Sequence, residues 1–510
     1  MKTAIENLIK LGLQELGVGE VKFVVEHPTN LSFGDYSTNA GIISGRNEEL
    51  KEYLEKNQPA GVEKIELAGP GFINFYLSKD FFKNSIGEII SEGGNFGKNK
   101  NLKGEKVIVE HTDPNPFKEF HIGHLMPNVI GSTLARVFEW SGAEVKQVCY
   151  QGDVGLHIAK AVWGMQKGSS LLEAYAIGHR AFEEDGTAKQ VIQELNKKIY
   201  ERSDEEINKV YDQGKKDSLE YFDEIYKKLG AKFDYFFFES ETGENGKGIV
   251  EDNIGKVFEE SDGAVVFRAE KLNPQLHTRV FLNSEGLPTY EAKELGLAPL
   301  KFEKYPYDIS VVVTGSEIND YFRVVLEAMK QIFPDLAAKT KHLSHGMLRL
   351  PTGKMSSRTG DVITAEELIE EVKEKVKGDE QVAIGAIKYM ILRQAIGNDI
   401  IFDIEKSVST EGDSGVYLQY THARSCSILG KAKIQGGTLY DIQGPTLERE
   451  THEIEKLLYR FPEIVELSLD EYAPHRITTY LTELAGSFNN FYAHEQVIPP
   501  PGRRAGGDSP

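Results

Sequence analysis

Lys106-Val107-Ile108-Val109-Glu110-His111-Thr112-Asp113-Pro114-Asn115-Pro116-Phe117-Lys118-Glu119-Phe120-His121-Ile122-Gly123-His124 sets the architecture of this chain. Its first five residues have the unbroken apolar centre of a strand covered on both faces. The prolines at 114 and 116 stop that strand, and the spacing predicts a helix from about His124 to Ser141 and a second strand from about Val145 to Tyr150. Strand, helix and strand make one βαβ unit. The run Asp308-Ile309-Ser310-Val311-Val312-Val313 repeats the buried-strand pattern and marks where the sheet resumes. Between the two, Ser170 to Gly230 is charged and helical, with apolar Val191, Ile192, Leu195 and Ile199, then Leu219, Phe222, Ile225, Tyr226 and Leu229. Strand patterns return at Gly263 to Arg268 and Thr278 to Leu282.

Upstream, short apolar runs at Val21 to Val25 and Ile73 to Leu77, with helical patterns around them, end at Gly93-Gly94-Asn95-Phe96-Gly97-Lys98. They predict a separate α+β domain and a linker. Downstream of about Glu366 the chain reads as helix throughout; Ile477, Tyr480, Leu481, Leu484, Ala485 and Phe488 fall on one apolar face. No internal repeat is present. A length of 510 residues fits about three domains at roughly 100 to 200 residues each.

Hydrophobic residues at 40% and charged residues at 27% exclude general disorder. The N-terminus is amphipathic, not a targeting segment, and no stretch is long enough to span a bilayer, which predicts a cytoplasmic protein with no membrane partner. Cys149 and Cys426 are too far apart in sequence for a Cys-rich zinc site; both are expected to be buried thiols, and no metal is expected to be bound by the protein. A net charge of −20 is the reverse of a nucleic-acid binder's. Phosphate contacts would have to come from local runs such as Lys98, Lys100, Lys103 and Lys106, or Lys339 and Lys341, which read equally well as solvated basic faces.

Two motifs carry chemistry. His121-Ile122-Gly123-His124 follows a strand and opens a helix. A helix start offers free N–H groups and a positive dipole end, Gly123 allows a close approach of a nucleotide, and two imidazoles can donate to phosphate oxygens. Alone, the string also reads as a metal-binding pair or as two surface histidines. Lys354-Met355-Ser356-Ser357-Arg358 lies in a loop after Gly346 to Pro351, where a mobile cation can meet the charge that grows on a leaving pyrophosphate.

Together, in this order and across a helical insertion, the motifs resemble the HIGH and KMSKS signatures of class I aminoacyl-tRNA synthetases. Glu110 to Pro116, Gly286-Leu287-Pro288-Thr289-Tyr290-Glu291-Ala292-Lys293 and Tyr420-Thr421-His422-Ala423-Arg424 are similar to arginyl-tRNA synthetases, as are Phe33-Gly34-Asp35-Tyr36-Ser37-Thr38-Asn39 and Ala68-Gly69-Pro70-Gly71-Phe72-Ile73-Asn74. The resemblance runs from residue 1 to about 495.

The fold it implies is α/β: an additional N-terminal α+β tRNA-binding domain (1–100), a Rossmann-like catalytic domain (101–365) with a helical insertion at about 170–235, an all-helical anticodon-binding domain (366–498), and a disordered tail (499–510). The activity it implies is arginine activation by ATP, with Mg2+, and transfer to tRNA(Arg) by a monomer, with activation dependent on tRNA.

Carried over by position, His121, His124 and Lys354 are catalytic. Lys118, Gly123, Gly346, Met347, Met355 and Ser356 join them around ATP. Glu110, Asn115, His124, Asp153, Tyr290, Glu294 and Ile318 surround arginine, with Tyr290 and Glu294 at the guanidinium, where a planar fork of five donors calls for a carboxylate and a hydroxyl. Phe33, Asp35, Tyr36, Asn39, Tyr420 and Arg424 meet tRNA. By spacing alone Glu294 also reads as a surface helix glutamate, Asn115 as a turn cap, and Phe33 and Tyr36 as core aromatics.

The chain departs from the family where Glu294 replaces Asp, Ile318 replaces Gln or His, and Ser357 replaces the second Lys of the loop motif, a loss that Lys118 is placed to offset. Two other readings stay open: a nucleotidylyltransferase of similar fold, and an RNA-binding pseudo-synthetase. The family it resembles has further helices where Pro499 to Pro510 stands, so the chain reads as truncated, or read out of its native frame, after about Val497, with helices from Ser414, His452 and His475 expected to be short of a packing partner and tRNA binding expected to be weakened.

Overall fold

The computed structural model describes residues 1–351, 363–434, 451–495 and 497. The chain opens with α1 (Lys2–Glu15), β1 (Val25–Glu26), β2 (Tyr36–Thr38), α2 (Ala40–Ser44), α3 (Asn47–Lys56), β3 (Val62–Ala68), β4 (Phe72–Leu77) and α4 (Lys79–Glu92). The strands form an antiparallel sheet in the order β1-β2-β4-β3, the α+β domain expected from the sequence. Ile5, Ile9 and Leu13 recur every four residues along α1 and bury one stripe of it with Leu50 and Leu54 of α3 and Ile65, Ile73 and Phe75 of the sheet.

The second sheet begins with β5 (Lys106–Glu110), α5 (Ile122–Trp140) and β6 (Glu144–Gln151). Helices α6 (Leu156–Gln166), α7 (Leu171–Glu184), α8 (Gly186–Glu201) and α9 (Glu205–Leu229) follow, between β6 and the next strand of the sheet. Asp185 and Asp204 start α8 and α9 by accepting backbone N–H groups of the first turn.

Then come β7 (Tyr235–Phe238), α10 (Glu239–Asp252), β8 (Glu259–Ser261), β9 (Ala264–Phe267), β10 (Arg279–Leu282), α11 (Tyr290–Lys304), β11 (Ile309–Gly315), α12 (Asn319–Ile332), α13 (Pro334–Lys339), β12 (Thr340–His345) and β13 (Leu348–Arg349). Five strands pair in parallel in the order β12-β11-β5-β6-β7. Val107 and Val109 of β5 pack into the cluster built on α5, while Ile108 packs with Leu297 of α11 and Tyr307. Both faces are covered, which is why the run is apolar without alternation.

The strand patterns at 263–268 and 278–282 form, with β8, a separate antiparallel sheet, β10-β9-β8. The outer strands β7 and β12 carry no pattern that the sequence reading identifies. The expectation of helix throughout is corrected. Among the described residues from 365 onward are α14 (Ala365–Lys375), α15 (Glu380–Leu392), β14 (Ile400–Ile401), α16 (Ile404–Ser407), α17 (Gly415–Ile434), α18 (Glu453–Asp470) and α19 (His475–His494), so the region expected to be helical throughout carries a short strand, which pairs with β13. The chain divides into two units: residues 1–97, 425–463 and 483–510, and residues 98–424 and 464–482. Among the described residues no helix is long and apolar enough to cross a membrane. Cys149 is buried as expected, but Cys426 is exposed on α17.

Candidate active site

The chain winds from β5 outward to β6 and β7, then returns to lay β11 and β12 on the other side of β5. At such a reversal the connections leave in opposite directions and open a crevice beyond the carboxyl ends of the two central strands. A cavity of about 480 Å³ lies there, between the ends of β5 and β11 and the start of α5. Glu110, Asn115, His121, Gly123, His124, Tyr290, Glu294, Ile318, Gly346 and Met347 all line it, residues that span more than two hundred positions of sequence.

The loop from β5 to α5 is held in a strained form. Thr112, Asp113 and Phe117 have φ of 84°, 46° and 65°, in the left-handed region that side chains avoid. Specific bonds hold them there: Asp113 Oδ1 accepts from the Tyr150 N–H at 2.7 Å, Asn128 Nδ2 donates to Thr112 Oγ1 at 3.1 Å, and the Phe117 N–H donates to Ser218 Oγ at 2.8 Å. Asn115 Oδ1 accepts from the Gly152 N–H at 3.1 Å, and a Cβ on Gly152 would stand 2.5 Å from that oxygen. A side chain at 152 would displace the Asn115 amide from this bond.

Helix α5 starts at Ile122, two residues before the sequence placed it, with His121 as its cap. The Gly123 N–H donates to His121 Nδ1 at 3.1 Å, and the His121 N–H donates to His124 Nδ1 at 3.2 Å. A Cβ on Gly123 would meet the His121 ring at 2.8 Å. Each Nδ1 is an acceptor, so each neutral ring carries its proton on Nε2. Burial, followed by the nearby Lys118 charge, holds His121 down at about 4, and burial with His121 and Lys118 holds His124 well below the ordinary range. Both rings are therefore neutral donors at physiological pH. A metal on Nε2 would shift each ring's proton to Nδ1, against the backbone N–H group that already donates there, so this geometry does not favour the metal-pair reading.

The lining is acidic: Glu110, Glu239 and Glu294 are buried in it, Asp113 is half-buried, and Glu317 is exposed at its surface. Glu110 Oε2 accepts from Lys301 Nζ at 2.6 Å and Glu239 Oε2 from Lys293 Nζ at 2.7 Å, both pairs buried. Glu294 is 7% exposed and receives no hydrogen bond from any described residue. Burial, then the Glu110 charge, push it up to about 8. Asp113 is raised well above the carboxylate range by burial and then by Glu110. A pocket with neutral donors at its helix end and an unpaired carboxyl at its acidic end suits a molecule with phosphate on one side and a cation on the other.

Other expected residues fall elsewhere. Asp153 is fully buried and outside the cavity lining, with its carboxylate taken by Tyr211 Oη, Lys215 Nζ, Ser240 Oγ and the Ser240 N–H. Lys118 also stands outside the lining, with its ammonium 4.5 Å from the centre of the Tyr175 ring. Lys354, Met355, Ser356 and the rest of their motif lie outside the described residues.

In the other unit Tyr36 is fully buried and donates to Glu463, Asp35 is buried against Lys456, and Asn39 Oδ1 accepts from the Val24 N–H at 3.0 Å. Of the residues expected at RNA, Asp35 and Tyr36 are thus packed within their unit, while Phe33, 53% exposed, faces solvent. Tyr420 is exposed on α17, with the Arg424 guanidinium over its ring and donating to its hydroxyl at 2.9 Å.

Of the basic runs, Lys339 donates to the Tyr307 carbonyl at 2.9 Å, and Lys98, Lys106 and Lys341 lie over the rings of Trp140, Tyr305 and Tyr472. Sequence reasoning missed Asp113, Glu239, Glu317, Lys293 and Lys301. For Lys301 a signal existed, since Tyr290, Glu294 and Lys301 follow helical spacing on one face of α11.

A family described as tRNA synthetases class I (R), catalytic domain, matches residues 85–404; the DALR anticodon binding domain matches 418–505, and the arginyl tRNA synthetase N terminal domain matches 3–77. The parallel sheet, its switch-point pocket and the histidine-capped helix are thus those of a class I tRNA synthetase.

Among relatives, an arginine–tRNA ligase of Treponema denticola is 31% identical over 88% of this chain and 80% of its own, and one of Clostridium acetobutylicum is 29% identical over 92% and 88%. The solved arginyl-tRNA synthetase of Thermus thermophilus superposes with a TM-score of 0.77 at 24% identity, covering 97% of this chain and 92% of its own, and shares the fold. The chain belongs to the arginyl-tRNA synthetase family. Nothing in these matches favours the nucleotidylyltransferase reading, which leaves the first and last domains without a task.

Proposed function

We propose that this protein is an arginine–tRNA ligase, which joins arginine to ATP as arginyl-adenylate and passes the arginine to the 3′-terminal adenosine of tRNA(Arg). The observation that carries the reading is Glu294: a buried carboxyl that receives no hydrogen bond from any described residue and lines the acidic end of the cavity, opposite the His121 and His124 donors. A buried acid without a partner is costly unless a ligand completes it. The guanidinium, always protonated and rich in donors, completes it.

In the first step an oxygen of the arginine carboxylate attacks the α-phosphorus, and the bond to the bridging oxygen breaks, so that pyrophosphate leaves with its charge. In the second a ribose hydroxyl of the terminal adenosine attacks the activated carbonyl, and AMP leaves. Nε2–H groups of His121 and His124 are fixed donors, aligned before the substrate arrives, for oxygens on which charge grows. Glu294 and Tyr290 hold the guanidinium end, and Glu110 and Asn115 the α-amino end. Asp153 supports this site from behind. Mg2+ enters with ATP, Lys354 meets the departing pyrophosphate, and Lys118 assists where Ser357 offers no charge. Phe33, Tyr420 and Arg424 offer exposed surface for RNA. We further propose a cytoplasmic monomer.

Arginine-dependent exchange of pyrophosphate into ATP, run with and without tRNA(Arg), tests the reading. The expected result is exchange that appears only with arginine and depends on tRNA. Exchange driven by another amino acid, or none under either condition, overturns it.

A further inference from the structure

Glu110 closes β5, and period-two alternation puts it on the Ile108 side of the sheet, the side that α11 covers. There its carboxylate accepts from Lys301, with the two side chains 2% and 3% exposed. Lys301 does not line the cavity; it stands behind Glu110, two turns along α11 from Glu294 and on the same helix face. Three carboxyls, Glu110, Asp113 and Glu294, thus share one ammonium, and Glu110 holds it.

We propose that Lys301 is a positioning residue for substrate selection: by clamping Glu110 from behind the pocket it leaves Glu294 as the carboxyl that must meet the cationic end of the substrate. The proposal rests on arginine being the substrate and extends that reading to a residue outside the pocket and to a proton.

The groups that face Glu294 are few. Glu110 and Asp113 come from β5 and its loop, and Lys301 from its own helix. Glu239 comes from α10 and is already paired with Lys293, while the phenols of Tyr150 and Tyr321 come from β6 and α12. Burial, then Glu110, raise Glu294 to about 8, and Lys301 opposes them. In the empty pocket Glu294 is protonated at neutral pH. A guanidinium is already fully protonated there and cannot take that proton, so it goes to solvent as the ion pair forms.

Arginine binding therefore releases one proton. The sign follows: below pH 8 the free site is mostly protonated, affinity rises about tenfold per pH unit, and it levels off above 8. A neutral analogue with a urea in place of the guanidinium leaves the proton where it is, so discrimination against it sharpens as pH rises.

Calorimetric titration of the full chain with L-arginine, in phosphate and in Tris between pH 6 and 8.5, with and without tRNA(Arg), reads the proton directly. The expected result is release of close to one proton per arginine at pH 7 and an affinity that rises steeply from pH 6 to 8. Glu294→Gln removes the slope, and Asp113→Asn keeps it. Lys301→Met moves the midpoint above that of the unsubstituted protein, because the opposing charge is gone, and Lys301→Arg restores it. Lys301→Gln keeps a donor without the charge and gives the same displacement if the Met variant does not fold. Arginine bound with no proton released, or a midpoint unmoved by loss of the Lys301 charge, overturns this inference and leaves the substrate assignment standing. No arginine binding at any pH, with or without tRNA, overturns the assignment itself.

Discussion

The rings of His121 and His124 stack with centroids 3.7 Å apart and planes inclined by 22°. Two charged imidazoles would not tolerate that contact; two neutral ones do, and the Nδ1 bonds to backbone N–H groups fix their tautomers. Because His121 is held at about 4 and His124 well below 6.5, neither titrates near neutrality. The neutral pair is fully present above pH 6.5, and its contribution to stability is lost as pH falls from 6.5 toward 4.

The exchange rate is accordingly expected to show no acid limb from these rings between pH 6 and 8. His124→Ala is expected to lower kcat roughly a hundredfold while the arginine KM stays within a fewfold, since the donor acts on charge that develops in the transition state. A large rise in KM with kcat intact would assign His124 to substrate binding instead.

Glu294 should weaken the empty protein that it equips. Its pKa is raised from 4.5 to about 8, so the folded state binds the extra proton and stability falls as pH rises from 4.5 through 8. The ceiling of that loss is on the order of 5 kcal/mol, at about 1.4 kcal/mol per unit. Glu294→Gln is expected to raise the Tm of the substrate-free protein at pH 9 and to leave it unchanged at pH 4, while it impairs arginine recognition. Thermal unfolding followed at both pH values checks this; equal Tm values at pH 9 would mean that the carboxyl is not desolvated.

Much of this was legible because it is local. The apolar run of β5, the prolines after it and the histidine pair lie within twenty residues, and a period or a helix start can be read from such a window. Strand β7 was not legible, since four aromatic residues between two helices give no alternation. Nor was β12: as an outer strand it carries Thr340, Lys341, His342 and Ser344, and His342 becomes interior only by stacking on Phe322 and bonding Thr314 Oγ1 at 2.7 Å.

The ion pairs of the pocket join residues 54 and 191 positions apart, Glu239 with Lys293 and Glu110 with Lys301, and no sequence pattern announces such partners. The guanidinium pair Tyr290 and Glu294 was legible because four residues make one helical step, but only the fold turned Glu294 into the interior, to 7% exposure.

Asp153 gives a test of support against contact. Its two oxygens accept four hydrogen bonds, from Tyr211, Lys215 and twice from Ser240, and tie α9 and the start of α10 to the end of β6. Asp153→Asn leaves the Lys215 ammonium, 22% exposed, without its counter-charge. The expected result is a loss of about 2 to 4 kcal/mol in denaturant unfolding. An arginine contact would act the other way round, with unchanged stability and a raised arginine KM.

Phe33 and Tyr36 sit three residues apart and are expected to respond oppositely. Phe33 closes a single 3-10 turn with its ring 53% exposed, whereas Tyr36 lies on β2 with no exposed surface and its hydroxyl on Glu463 and Tyr459. Burial, then the Glu463 charge, push the Tyr36 phenol far above its ordinary range, so it remains a donor at every accessible pH. Tyr36→Phe strips that donor from a half-buried carboxylate and is expected to destabilise its unit by about 1 to 3 kcal/mol. Direct contact with RNA is not expected to change, so affinity should fall only as far as folding does.

Phe33→Ala removes an exposed ring, and its effect on stability is expected to be within about 0.5 kcal/mol. If the ring stacks on an unpaired base, tRNA affinity falls about tenfold, within the roughly 1 to 3 kcal/mol that one stacked base contributes. Filter binding of tRNA(Arg) beside urea unfolding of both variants separates the two roles. Unchanged affinity in Phe33→Ala would remove this turn from the RNA surface, and a loss of affinity in Tyr36→Phe without any loss of stability would return Tyr36 to it.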